Sequence, residues 1–115
     1  MERKIAIYGD YFKEFYVNQS AKAKDKIDYV LDLVRYEKRV PKKFLKFLTG
    51  TDGLYEIKVS TTFKEIRIFC FFDKGKLVVL TNCFIKKKQK TPKRELELAL
   101  KLKKEYFNKK NISNE

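Results

Sequence analysis

A chain of 115 residues fits one domain, and 43% hydrophobic content with 15% aromatics is enough for a core, which excludes wholesale disorder. Its 28 Lys and Arg against 15 Asp and Glu leave a net charge of +13, a surplus that points to polyanionic partners, nucleic acid first and an anionic membrane surface second. Histidine is absent, which removes the commonest general acid and base at neutral pH and the commonest nitrogen ligand for zinc. Cys70 and Cys83 each sit in an apolar run without a CxxC spacing, so they read as small buried hydrophobes in a reducing compartment. No metal or cofactor site is expected. Met1-Glu2-Arg3-Lys4 precedes only a short strand-like stretch and no apolar run is long enough to span a bilayer, so neither signal peptide nor anchor is expected, and the location is cytoplasmic by default.

Taken in chain order, Lys4 to Tyr8 (KIAIY) predicts a first strand ending at Gly9. From Asp10 to Val17, aromatic residues recur at Tyr11, Phe12, Phe15 and Tyr16, the spacing of one helical face. Ser20 suits the N-cap of a second helix whose Ala23, Ile27, Val30, Leu31 and Val34 make an apolar stripe, with Pro41 limiting its run. Gly50 and Gly53 punctuate a turn before an alternating strand, Leu54 to Ser60. Glu65 to Phe72 and Lys76 to Phe84 follow as strands rich in β-branched and aromatic residues, joined by the hairpin signal Asp73-Lys74-Gly75. Thr91 and Pro92 open a last helix with Leu96, Ala99, Leu100 and Phe107 on its face. The expected class is α+β, in the order β-α-α-β-β-β-α, an antiparallel sheet with two N-terminal helices and a C-terminal helix packed on it. Residues 1–110 are expected to form one domain and 111–115 a frayed tail. The glycines of TGTDG precede a strand rather than follow one, which disfavours a phosphate-binding loop.

If the hairpins close with Ser60 opposite Glu65 and Phe72 opposite Leu77, Lys58 faces Arg67 and Arg67 faces Asn82. Opposed residues share a face, so a lysine, an arginine and an amide line up on a face that also shows Leu54, Phe69, Phe71, Val78 and Leu80. The other face, with Tyr55, Ile57, Val59, Ile66, Ile68 and Cys70, is uninterrupted core. Arg67 has a plain alternative use, pairing with Glu56 or Glu65, and Lys58 could reach solvent along its stem. The third strand, however, runs straight into FIKKKQKTPKREL, which carries six cations in thirteen residues. Segment 86–110 holds eleven basic and three acidic residues, a surplus of +8 (11 − 3). Phosphodiesters bound there would release counterions, and the amides of the helix starting near Pro92 would add dipole attraction. Phe69 and Phe84 are candidate platforms for base stacking, although aromatics on strands more often serve the core.

The stretches LTGTDGLYEIKVS and EIRIFCFFDKGKLVVLTNCFIKKKQKTPKREL, with the two helices before them, resemble the HigB-like branch of the RelE/ParE toxin superfamily over nearly the whole chain. That branch combines a G-L-Y/W-E-L-R strand, an R-I-F/L-Y strand and an F-x-K-K-x-x-K-T-P corner before the last helix. The resemblance implies a type II toxin that cleaves mRNA, usually on the translating ribosome, and a separately encoded helix-turn-helix antitoxin. It matches Glu56 to the strand acid, Arg67 to the arginine of the second strand, and Lys87 and Lys90 to the corner lysines. Lys58 stands where the family often has arginine, which departs from a bidentate clamp. Asn82 falls where some relatives carry histidine. The expected catalytic set is Arg67, Lys87, Lys90, Lys58 and Tyr55, with Lys86, Lys88, Lys93, Arg94 and Asn82 as RNA contacts. Tyr55, asked to move a proton, falls on the core face of the projected register, and the general base stays unassigned.

Two other classes share this sequence pattern. A ParE-like inhibitor of DNA gyrase would have the same fold and type of antitoxin but no need of a polarised cationic cleft. A plain RNA-binding domain needs only basic charge and aromatics.

Overall fold

The computed structural model describes residues 2–113, and its elements run β1 (Lys4–Ile7), α1 (Tyr11–Val17), α2 (Ala21–Tyr36), β2 (Leu45–Phe47), β3 (Leu54–Ser60), β4 (Glu65–Asp73), β5 (Leu77–Ile85) and α3 (Lys93–Ser113). The fold is α+β, with one five-stranded sheet in the order β1-β5-β4-β3-β2. The helical pair α1–α2 carries the chain from β1 to the far edge, and three reversals bring it back. β5 therefore meets β1 in parallel, whereas every other pair is antiparallel, so the sheet is mixed rather than wholly antiparallel. Strand β2 was not foreseen. Its three residues carry too little alternation to signal a strand, and they are ordered by pairing of Leu45, Lys46 and Phe47 with Ile57, Glu56 and Tyr55.

Helix α2 forms where its stripe predicts. Ser20 Oγ accepts the Ala23 N–H at 3.1 Å, and Ala23, Ile27, Val30, Leu31 and Val34 are all buried. They pack with Ile57, Val59, Ile66, Ile68, Cys70, Val78 and Leu80 in the main core, where each large aliphatic side chain contributes about 1.5–3 kcal/mol by leaving water. The C-terminal carbonyls of α2 find a partner remote in sequence. The Arg3 guanidinium donates to the carbonyls of Val34, Glu37 and Lys38 at 3.0, 2.7 and 3.0 Å, placing a cation at the negative end of the helix dipole.

Helix α3 covers the opposite sheet face, where Leu54, Phe69, Phe84 and Ala99 form a second core. It begins at Lys93, one residue after Pro92, whose carbonyl takes the Leu96 N–H at 3.1 Å. It continues through Ser113, beyond the expected limit at 110, and of the expected tail 114–115 lie outside the described residues. Asp73, buried at the end of β4, accepts from Tyr106 Oη at 2.6 Å and Lys110 Nζ at 2.7 Å. Those two bonds, Lys110 first, hold the Asp73 carboxyl below the usual carboxylate range. The bond to Asp73 with partial burial pushes the Tyr106 phenol up to about 12.

The register departs from the projection in one hairpin. Ser60 faces Glu65 and Lys58 faces Arg67 as expected, but the β4–β5 turn has three residues, Lys74 and Gly75 sit at positive φ (49° and 71°), and Asp73 faces Leu77. A G-containing turn that tight admits one pairing more than a four-residue loop. The shift turns Val78 and Leu80 into the main core with α2, not onto the face of Arg67. A bulge between Ile68 and Cys70 then restores the phase, so Arg67 faces Phe84 rather than Asn82.

Candidate functional site

Arg67 is the third residue of β4, on the α3 side of the sheet, and next to it the chain leaves β5 for the lysine corner. The Lys86 N–H donates to the Glu65 carbonyl at 2.7 Å, adding one rung to the ladder and fixing where the corner starts. Its far end is fixed at α3, because Asn82 Nδ2 donates to both the carbonyl and Oε1 of Glu95, each at 3.0 Å. The corner is thus strapped between the last strand and the first turn of the last helix. Between it and β4 lies an open cleft of about 550 Å³ lined by Glu65, Arg67, Lys86, Lys87, Lys88 and Gln89.

The Arg67 side chain is 10% exposed and is held by two hydrogen bonds and a looser ion pair. Nη1 donates to Glu65 Oε1 at 3.2 Å and to the Ile66 carbonyl at 3.1 Å, and Nε, which has no hydrogen-bond partner among the described residues, lies 3.6 Å from Glu56 Oε1 as an ion pair only. Glu56 is itself buried, and its Oε2 has no hydrogen-bond partner among the described residues. Two carboxylates therefore fix the arginine, and the plain pairing weighed from the sequence is present with both. A buried charge held this way is oriented, which matters more here than the net stability of the pair. Against those carboxylates stand Arg67, Lys86, Lys87 and Lys88, so the cleft keeps a cationic surplus suited to a bound anion. Another cleft, about 520 Å³ between α1 and α3, mixes Asp10, Glu14 and Glu105 with Lys101 and Lys109, and has no such surplus.

Of the expected residues, the structure gathers Arg67, Lys86, Lys87 and Lys88 around one cleft and leaves the others out. Lys90 is exposed beyond it, as are Lys93 and Arg94 in the first turn of α3, with Lys93 only loosely paired to Glu97 at 3.9 Å. Lys58 is the cross-strand neighbour of Arg67 yet does not line the cleft. Asn82 is 1% exposed and spends its amide donors on Glu95, so it is a strut for α3 and not an open contact. Tyr55 lies on the opposite face, its ring 5.4 Å from Phe47 and 5.0 Å from Phe72, with the sheet between it and Arg67. Phe69 and Phe84 are buried against each other at 5.4 Å and are closed to stacking by a base.

The sequence reading missed Glu65 and Gln89 as lining residues. Glu65 was foreseen only as a partner of Arg67, whereas it also accepts from Ser60 Oγ at 2.8 Å and borders the cleft. Its position opposite Ser60 was the signal that could have placed it. The cysteines belong to the main core: burial raises both thiols, Cys83 to about 12 with help from Glu95, which keeps them from acting as thiolates. Among the described residues no three His, Cys, Asp or Glu side chains are grouped as a metal site requires, and no helix is long and apolar enough to cross a membrane.

Among solved structures, the chain is similar to one described as the crystal structure of an archaeal RelE–RelB complex from Pyrococcus horikoshii OT3, with a TM-score of 0.55 and 19% identity over 74% of this chain and 96% of that one. At that identity the likeness is one of fold: the α+β arrangement of sheet and helices is RelE-like. No curated protein matches the chain. The profile of the family described as Phage derived protein Gp49-like (DUF891) matches residues 14–104, a span that takes in Arg67, the lysine corner and the start of α3. The chain belongs to the phage-derived Gp49-like family.

Proposed function

We propose that this protein is the toxin of a type II toxin–antitoxin pair, of the HigB-like kind, and that it is a metal-independent endoribonuclease acting on mRNA, on the ribosome, in the cytoplasm. Its antagonist is a separately encoded helix-turn-helix protein. The observation that carries this reading is the convergence of a rigidly held Arg67 with Lys86, Lys87 and Lys88 on one open cleft. Membership of the Gp49-like family and a fold shared with a RelE solved together with RelB support it.

In this reading the scissile phosphate lies in the cleft. The RNA 2′-oxygen attacks phosphorus, the bond to the 5′-oxygen breaks, and a 2′,3′-cyclic phosphate and a 5′-hydroxyl are left. Arg67 and the lysines stabilise the charge that builds on the phosphoryl oxygens. Glu65, the carboxylate of the cleft, takes the 2′-hydroxyl proton, and the Lys87 ammonium supplies one to the leaving oxygen. Ribosomal positioning of the strand contributes the rest of the rate.

The test is a single-turnover cleavage assay on programmed ribosomes with mapping of 5′-hydroxyl ends. Arg67→Ala is expected to lower the rate about 100-fold, and Arg67→Lys, which keeps the charge but loses the fork, to recover only part of it. A protein that leaves mRNA whole while inhibiting DNA supercoiling would instead be a gyrase inhibitor. The second reading, an RNA-binding module without chemistry, is favoured by Tyr55 lying across the sheet from Arg67. It predicts salt-dependent RNA binding with no scission.

A further inference from the structure

Phe63, at the tip of the β3–β4 hairpin, is 92% exposed, the most exposed large hydrophobic side chain among the described residues. A single apolar side chain at a surface needs no explanation by itself, but two features set this one apart. The first is that its turn is built. Thr61 N–H donates to the Lys64 carbonyl at 2.9 Å, Lys64 N–H donates back to Thr61 Oγ1 at 2.9 Å, and Lys64 Nζ reaches Gln19 Oε1 at 3.1 Å, tying the tip to the α1–α2 junction. The backbone that carries the ring is thus ordered beforehand, so binding has only the side chain itself left to order. The second is its neighbourhood. A groove of about 400 Å³ runs along Thr61, Thr62, Phe63 and Lys64 to Glu65, Lys86 and Lys87, and the last three residues also line the cleft of Arg67.

We infer that Phe63 is a stacking platform for an unpaired nucleobase of an RNA strand whose phosphate occupies the neighbouring cationic cleft. This rests on the reading of that cleft as an RNA site. A π-face is offered beside lysines that would follow the backbone, the combination by which single strands are held irrespective of sequence. Thr62 borders the same groove, whereas the Thr61 hydroxyl is taken up within the turn by the Lys64 N–H and carbonyl. The role that the sequence suggested for Phe69 and Phe84 thus passes to a residue outside the sheet. A protein partner would also cover an exposed phenylalanine, but the cations shared with the cleft favour a polyanionic strand.

The experiment measures binding of a short 2′-O-methyl oligoribonucleotide, which cannot be cleaved, and of a matching strand of abasic residues, by fluorescence anisotropy at low salt. Phe63→Ala is expected to weaken the base-bearing strand about 10- to 100-fold, to leave the abasic strand unchanged, and to keep the same salt slope. Phe63→Tyr should restore binding. Equal losses on both strands, or none on either, would overturn the stacking role. So would a defect confined to ribosome association with oligonucleotide binding intact, since that makes Phe63 a protein contact. If wild-type protein binds the base-bearing strand and Arg67→Ala and Lys87→Ala do not weaken it, the reading of the cleft fails whatever Phe63 does. Failure at Phe63 alone leaves the cleft reading standing.

Discussion

Asp73→Ala cuts the tie that holds the second half of α3 to the sheet. Asp73 Oδ2 accepts two bonds, from Tyr106 Oη at 2.6 Å and Lys110 Nζ at 2.7 Å. A bond to a charged acceptor is worth about 1.5–3 kcal/mol when shielded. The Lys110 side chain is 30% exposed, so solvent screens its share to about 0.5–1 kcal/mol. With the Tyr106 bond near the lower end of its range, the expected loss is about 2–3 kcal/mol, or a melting temperature about 8–12 °C lower for a chain of this size. The sign with pH follows from the two shifts. Asp73 is depressed, so its contribution is present above the usual carboxylate range and is lost as pH falls through its lower folded value. Tyr106 is raised to about 12, so its contribution is present below the free phenol value near ~10 and is lost as pH rises through about 12. The gap between wild type and Asp73→Ala should therefore be level at neutral pH and close at both extremes. Urea unfolding followed by circular dichroism reads the gap, and amide exchange should quicken in residues 104–113 before elsewhere. If Tyr106→Phe costs as much in the Asp73→Ala background as in wild type, the two are not coupled and the reasoning fails.

Tyr55→Phe is expected to leave the cleavage rate unchanged, because the ring lies on the α2 side of the sheet; a large fall in single-turnover rate would place it in the chemistry after all. Asn82→Ala removes both bonds to Glu95 and should destabilise the protein by about 1–2 kcal/mol in urea unfolding, without altering the salt slope of RNA binding. Lys90→Ala should reduce that slope by about 1 and spare the maximal rate, since Lys90 lies outside the cleft, whereas Lys87→Ala should lower the rate itself. The reverse pattern would move the reacting phosphate down the corner towards α3.

Local information sufficed for much of the molecule. The α2 stripe, its Ser20 cap and the Ser60 to Glu65 hairpin are set by residues close in sequence, so periodicity and capping chemistry reveal them directly. The charge of the corner and the pairing of Lys58 with Arg67 were legible for the same reason. The resemblance of the strand and corner motifs to RelE/ParE toxins pointed to the right fold, and the Gp49-like match supplied the family.

What needed the folded chain is whatever joins distant segments. A one-residue difference in the β4–β5 turn, followed by a bulge, decided that Arg67 faces Phe84 and that Val78 and Leu80 join the main core; pattern alone is blind to such slips because each strand alternates equally well in either phase. The edge strand β2 exists through its pairing with β3, and Arg3 caps a helix more than thirty residues away. The cleft follows the same rule. The sequence determined that Arg67 and a lysine run would be present, but their closeness depends on the Lys86 to Glu65 rung and on Asn82 holding α3. Which lysines line the cleft, and that Glu65 borders it while Tyr55 does not, follow from the sheet register and from the packing of α3, long-range terms that no local window of residues contains.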